Sequence, residues 1–176
     1  MTSPKVKPVS IHGNRLGLAP GYIVVDGAQA GPPINVSATV ASNTATVTEE
    51  TLKTYSLPGR TLDASNQGIY VRAFGRTGSG TTRFKRATLV IGGVSMTTAS
   101  ISDSGGTWVL EGRYFKTGSS TQRALTGGQV ASTMLALTST TDTATDTSDI
   151  TISLKSTSGS GTTSDIFCDA LEVGFV

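Results

Sequence analysis

The reactive side chains of this 176-residue chain are few enough to take one at a time. Its single histidine, His12, lies between Pro8 and Pro20, and nucleophilic catalysis by Ser–His or Cys–His needs an imidazole held rigidly against its partner. A proline-rich surround gives no such hold, so histidine chemistry is not expected. The single cysteine, Cys168, sits in the apolar run "DIFCDALEVGFV" and reads as a buried small hydrophobe. One Cys and one His exclude an intrachain disulfide and any metal site built from several nitrogen or sulfur ligands. An all-oxygen site would have to draw on "TDTATDTSD", where Asp142, Asp146 and Asp149 cluster. Their spacing does not follow the calcium-loop pattern, and the segment reads as a solvated acidic loop. Glycoside hydrolysis needs two carboxylates converging across a cleft. The candidates Glu111, Asp169 and Glu172, with Glu49 and Glu50 upstream, read as ordinary surface. No catalytic, cofactor-binding or metal-ligating residue is assigned, and no cofactor is expected.

Glycine-spaced hydroxyl loops raise a different possibility. "GSGTT" occurs at 78–82 and 159–163, with the related "TGSST" at 117–121. A phosphate loop works because glycine lets backbone N–H groups converge at a helix N-terminus, with Lys and Ser/Thr just beyond. These copies are followed by "RFKR" and "SDIF" and stand between strand patterns, so they read as turns.

The elements around them are strands. Charged residues are 15% of the chain and hydrophobic residues 36%, while Ser, Thr and 21 Gly supply much of the rest, a balance that favours strands and turns over helices. "IYVRAFGR" sets Ile69, Val71 and Ala73 on one face and Tyr70, Arg72, Phe74 and Arg76 on the other. "RFKRATLVIGG" runs into a Gly92-Gly93 hairpin signal before "VSMTTASI". "TWVLEGRYFKTG" follows, then "TQRALTGG" and "QVASTMLALTS" as separate segments. "DITISLKS" points Ile150, Ile152 and Leu154 inward and Thr151, Ser153 and Lys155 outward, and the last apolar run reads as a buried strand. About eight strands with glycine turns predict an antiparallel sandwich or jelly roll.

The N-terminal part differs. Five of six prolines fall within the first 33 residues, so residues 1–45 read as an extended arm carrying one strand-like piece, "GYIVVDG", and residues 46–176 as the folded domain. No apolar leader is read after "MTSPKVKPVS", and no apolar stretch nears the ~18 residues of a membrane span.

The basic residues are more suggestive. Several of Arg72, Arg76, Arg83, Lys85, Arg86, Arg113, Lys116 and Arg123, interleaved with Tyr70, Phe74, Phe84, Tyr114 and Phe115, are expected to share one positive face when the strands pair. Such a face suits single-stranded nucleic acid or an acidic glycan. It suits a subunit interface better, because the net charge is only +2.

The order of segments resembles a recurring domain of tailed-phage virion proteins. The matching residues are Tyr55-Ser56-Leu57-Pro58 with Thr61-Leu62, Gly68 through Arg72, Gly92-Gly93, Trp108 with Glu111, Thr117-Gly118 with Gln122, and the apolar end. The resemblance spans residues ~46–176. It implies a jelly roll without catalytic residues, a homo-oligomer (a trimer), and a place in the virion. The role implied is head decoration, binding the major capsid protein or another virion protein, with a tail-fibre or receptor-binding module as the alternative. On that reading the arm docks through Tyr22, Ile23, Val24 and Val25, with Lys5 and Arg15 reaching an acidic surface, and neither a membrane nor nucleic acid is an expected partner.

Overall fold

The computed structural model describes residues 35–62, 67–78, 84–97, 101, 105–118, 120–143, 147–159 and 162–176. Its strands are β1 (Asn35–Ser37), β2 (Ala41–Ser42), β3 (Glu50–Leu57), β4 (Gly68–Thr77), β5 (Lys85–Ile91) and β6 (Val94–Thr97). They continue with β7 (Thr107–Gly118), β8 (Thr121–Val130), β9 (Thr133–Asp142), β10 (Ile150–Ser158) and β11 (Ile166–Phe175). No helix occurs among the described residues, so the described fold is all-β as the composition predicts.

The strands form two antiparallel sheets. The larger has the order β1-β11-β4-β7-β8-β9, with β2 also on β11, and the smaller has the order β3-β10-β5-β6. The expected alternation sets the layers. Ile69, Val71 and Ala73 of β4 are buried, as are Ile150, Ile152 and Leu154 of β10, and they share one core with Leu89, Ile91, Trp108 and Leu110. The sheets meet closely at Gly112, where a Cβ would lie 2.5 Å from Ile91 Cδ1. Ser153 is buried as well, because β10 lies between β3 and β5.

The edges are tied together by polar groups. Lys53, on the β3 edge of the smaller sheet, donates to the Ser37 carbonyl at 2.5 Å, which links it to the β1 edge of the larger one. Asn43 is 2% exposed, and its Oδ1 accepts the N–H groups of Asp165 and Ile166 at 2.7 and 2.9 Å. Residues 35–43, the last part of the segment read as an arm, are thus joined to β11 and to the turn before it.

One boundary differs from the sequence reading. Gly127-Gly128 does not end a strand. β8 runs through both glycines and turns at Ala131-Ser132, with Val130 paired to Thr133. These glycines answer a packing demand. A Cβ on Gly128 would lie 2.4 Å from the Val109 carbonyl oxygen, and one on Gly127 would lie 2.7 Å from Leu137 Cδ2.

Candidate functional site

The outer face of β4, β7, β8 and β9 gathers the most varied chemistry among the described residues. Strand alternation puts Tyr70, Arg72, Phe74 and Arg76 on this face. Pairing in register adds Val109, Glu111, Arg113 and Phe115 from β7, then Arg123 and Leu125 from β8. Four of the predicted basic residues are therefore brought together, with three of the aromatics between them. The rest of that predicted set divides. Lys85, Lys116 and Tyr114 turn inward and are buried, which corrects their assignment to the positive face. Arg86 stands on the smaller sheet, 5.2 Å from the Phe84 ring centroid, and Arg83 lies outside the described residues.

Pairing lowers the positive potential of the face. Arg72 Nε lies 3.0 Å from Glu111 Oε1, directly across the strand pair, and Arg72 also stands over Phe74. Arg76 is paired with Asp169, and its guanidinium lies 4.7 Å from the Phe167 ring centroid. Both ion pairs are solvent-exposed, where such contacts contribute about 1 kcal/mol or less. Among the described residues Arg113 and Arg123 have no carboxylate partner.

A β-bulge shapes this face. Register passes from Thr126↔Thr138 to Gly128↔Leu135, so two residues of β9, Ala136 and Leu137, stand opposite Gly127. An extra residue bends its strand and increases the local twist. The β8–β9 hairpin and β7 enclose a hollow of about 490 Å³, with Arg72, Glu111 and Arg113 on one side and Leu125, Met134 and Leu137 on the other. Met134 is 72% exposed and Leu137 88% exposed. The sequence reading missed this feature. Its signal was "TMLALTSTT", nine residues with no charge and no proline.

The carboxylates do not converge. Glu111 and Asp169 are held by Arg72 and Arg76, Glu49 accepts from Lys155 at 2.9 Å, and Glu50 accepts the Thr44 N–H at 2.7 Å. Asp142 and Asp149, read together as an acidic loop, serve separate places. Asp142 is buried at the end of β9 and accepts from the Tyr114 hydroxyl, while Asp149 accepts from Ser56 Oγ at 3.0 Å and Gly59 N at 2.9 Å. Asp146 lies outside the described residues, as do His12 and the predicted docking residues Lys5, Arg15, Tyr22, Ile23, Val24 and Val25.

Burial holds one thiol and one phenol of the core in their protonated forms. Desolvation pushes the Cys168 thiol up to about 12, with the nearby Asp169 charge adding to the rise and Lys53 opposing it. Desolvation, then the hydrogen bond and charge of Asp142, raises the Tyr114 phenol far above its ordinary value. Neither group ionises near neutral pH. The arrangement is suited to binding, through an apolar hairpin beside a set of arginines. No family model, curated protein or solved structure matches the chain.

Proposed function

We propose that the protein is a non-enzymatic structural component of a tailed-phage virion, a jelly-roll decoration protein that binds the capsid lattice and stabilises the head. The strand order carries this reading. If β1 and β2 are taken as one strand and the β8–β9 hairpin is set aside, eight strands remain. The larger sheet then runs first-eighth-third-sixth and the smaller second-seventh-fourth-fifth, the winding of two Greek keys into a jelly roll. On this count the jelly roll begins at β1, and the arm comprises the residues before it.

The residues that carry the resemblance support the reading from a second side. Leu57 and Leu62 are buried on either side of the Pro58 turn, Gly92-Gly93 closes the β5–β6 hairpin, and Trp108 is buried while Glu111 is exposed. Thr117 Oγ1 donates to the Thr121 carbonyl at 3.0 Å, holding the β7–β8 connection where Thr117-Gly118 and Gln122 were matched. The mechanism is binding alone. Apolar Tyr22–Val25 settle on the capsid protein, and Lys5 and Arg15 meet its acidic surface.

Immunogold labelling of intact virions with an antibody against residues 35–176 tests the proposal. Label distributed over heads is the expected result. Label at the tail would replace decoration with the tail-fibre reading, and virions without label would overturn both.

A further inference from the structure

β9 is the one long, uncovered edge among the described strands. Unpaired edge strands template association with another chain, and proteins commonly blunt them by shortness, charge, proline or a bulge. The other edges follow that rule. β1 and β2 have three and two residues and β6 has four, while β3 carries Glu50 and Lys53. β9 has ten residues, and from Thr133 to Thr141 it carries neither charge nor proline. All of its residues are exposed except Leu135, which is half-buried, and Asp142, which is buried. The bulge at Ala136–Leu137 blunts the middle of the edge and leaves Thr138–Thr141 as a regular, unprotected segment.

We infer that β9 pairs antiparallel with β9 of a second copy of this chain, making one sheet continuous across the two. The absence of charge favours a second copy as the occupant. A two-fold axis sets one residue of a short segment against its own copy and its neighbours within diagonal reach of theirs, so a charge there would lie opposite or diagonal to its like, which destabilises a cross-strand pair. Thr138, Ser139, Thr140 and Thr141 meet the same segment of the copy without that cost, because each hydroxyl both donates and accepts. Leu137, whose Cδ2 lies over Gly127 and which is 88% exposed, gains cover from the incoming strand. Next to the pair, the Leu125, Met134 and Leu137 sides of the two hollows become neighbours. This contact does not depend on capsid docking and is independent of the proposed role.

The test uses the full chain. Light scattering on the purified protein should give a mass above the 18.0 kDa of one copy. Ser139→Lys, a change at an exposed position, should raise the dissociation constant of the β9 contact by roughly tenfold or more. Single cysteines at Thr138, Ser139, Thr140 and Thr141 then locate the axis. The residue that faces itself should form an intermolecular disulfide under mild oxidation, since paired antiparallel Cα atoms lie within disulfide range. The native Cys168 is buried and does not compete. A monomeric wild type, or no self-crosslink at any of the four positions, would overturn the inference. So would association that is lost on removing residues 1–34 without any β9 crosslink, which would show that the copies associate through the N-terminal segment instead.

Discussion

The Tyr114 hydroxyl donates a 2.7 Å hydrogen bond to Asp142 Oδ2, and the same oxygen accepts the Gly93 N–H at 3.0 Å. Three distant pieces of chain meet there: the middle of β7, the end of β9 and the β5–β6 turn. The turn has to be glycine, since Gly92 adopts φ +60 and a Cβ on it would lie 2.6 Å from the carboxylate. Removing the phenol oxygen takes a charge-assisted bond from a buried acceptor. Tyr114→Phe should therefore cost about 1.5–3 kcal/mol of folding stability, read from urea unfolding. A loss under about 0.5 kcal/mol would show that Asp142 holds the turn without it.

The same bond predicts an alkaline weakness. Burial, and then Asp142, raises the Tyr114 phenol above its ordinary 10.0 in the folded state. Below pH 10 the phenol is protonated whether folded or unfolded, and its contribution is complete. Above pH 10 the unfolded chain releases the proton while the folded chain retains it, so stability falls as pH rises, by up to ~1.4 kcal/mol per unit. Unfolding curves from pH 9 to 11 should show wild type losing stability faster than Tyr114→Phe. Equal slopes would mean that the folded phenol ionises freely.

Cys168 should be chemically silent in the native protein. It is 0% exposed, on the inner side of β11, and its thiol is pushed up to about 12. Thiolate is the reactive form, so both access and ionisation are denied at pH 8. A coloured disulfide reagent should label it only at the rate of opening, and fast once urea unfolds the chain. Stoichiometric labelling of folded protein within seconds would contradict the burial.

Alternation made most of this fold legible. The inward residues of β4 and β10 fall where a period of two puts them, and the Gly92-Gly93 signal marks a real hairpin. The failures share a cause, because a residue's type does not reveal what its neighbours across the sheet demand. Gly127 and Gly128 looked like punctuation, but they are small so that Leu137 and the Val109 carbonyl can come close. Lys85 looked like part of a basic face. It is on the inward phase of β5, and its ammonium donates to the Gly78 carbonyl at 3.1 Å. Tyr114 was counted with the surface aromatics because the carboxylate that accepts its hydroxyl is 28 residues away in sequence. The hollow on the outer face depends on a bulge, and bulges leave no mark in hydrophobic periodicity.

Asn43 predicts where the folded unit begins. Its Oδ1 accepts the backbone N–H groups of Asp165 and Ile166, and its Nδ2 donates to the Thr44 and Thr162 carbonyls at 2.9 and 2.8 Å. It also accepts the Ser164 N–H on its own carbonyl at 3.0 Å, and Ser164 adopts φ 60, a backbone state that needs such support. Asn43→Ala would strand two buried donors and should cost about 2 kcal/mol or more. A chain lacking residues 1–34 retains this clasp, both short strands on β11 and the Lys53–Ser37 tie, so it should unfold with wild-type cooperativity. A chain lacking residues 1–45 loses all three and exposes the β11 edge, and should be destabilised far beyond the point mutant or recovered only as aggregate. If both truncations unfold alike, β1, β2 and Asn43 contribute nothing to the domain, and the fold begins after them.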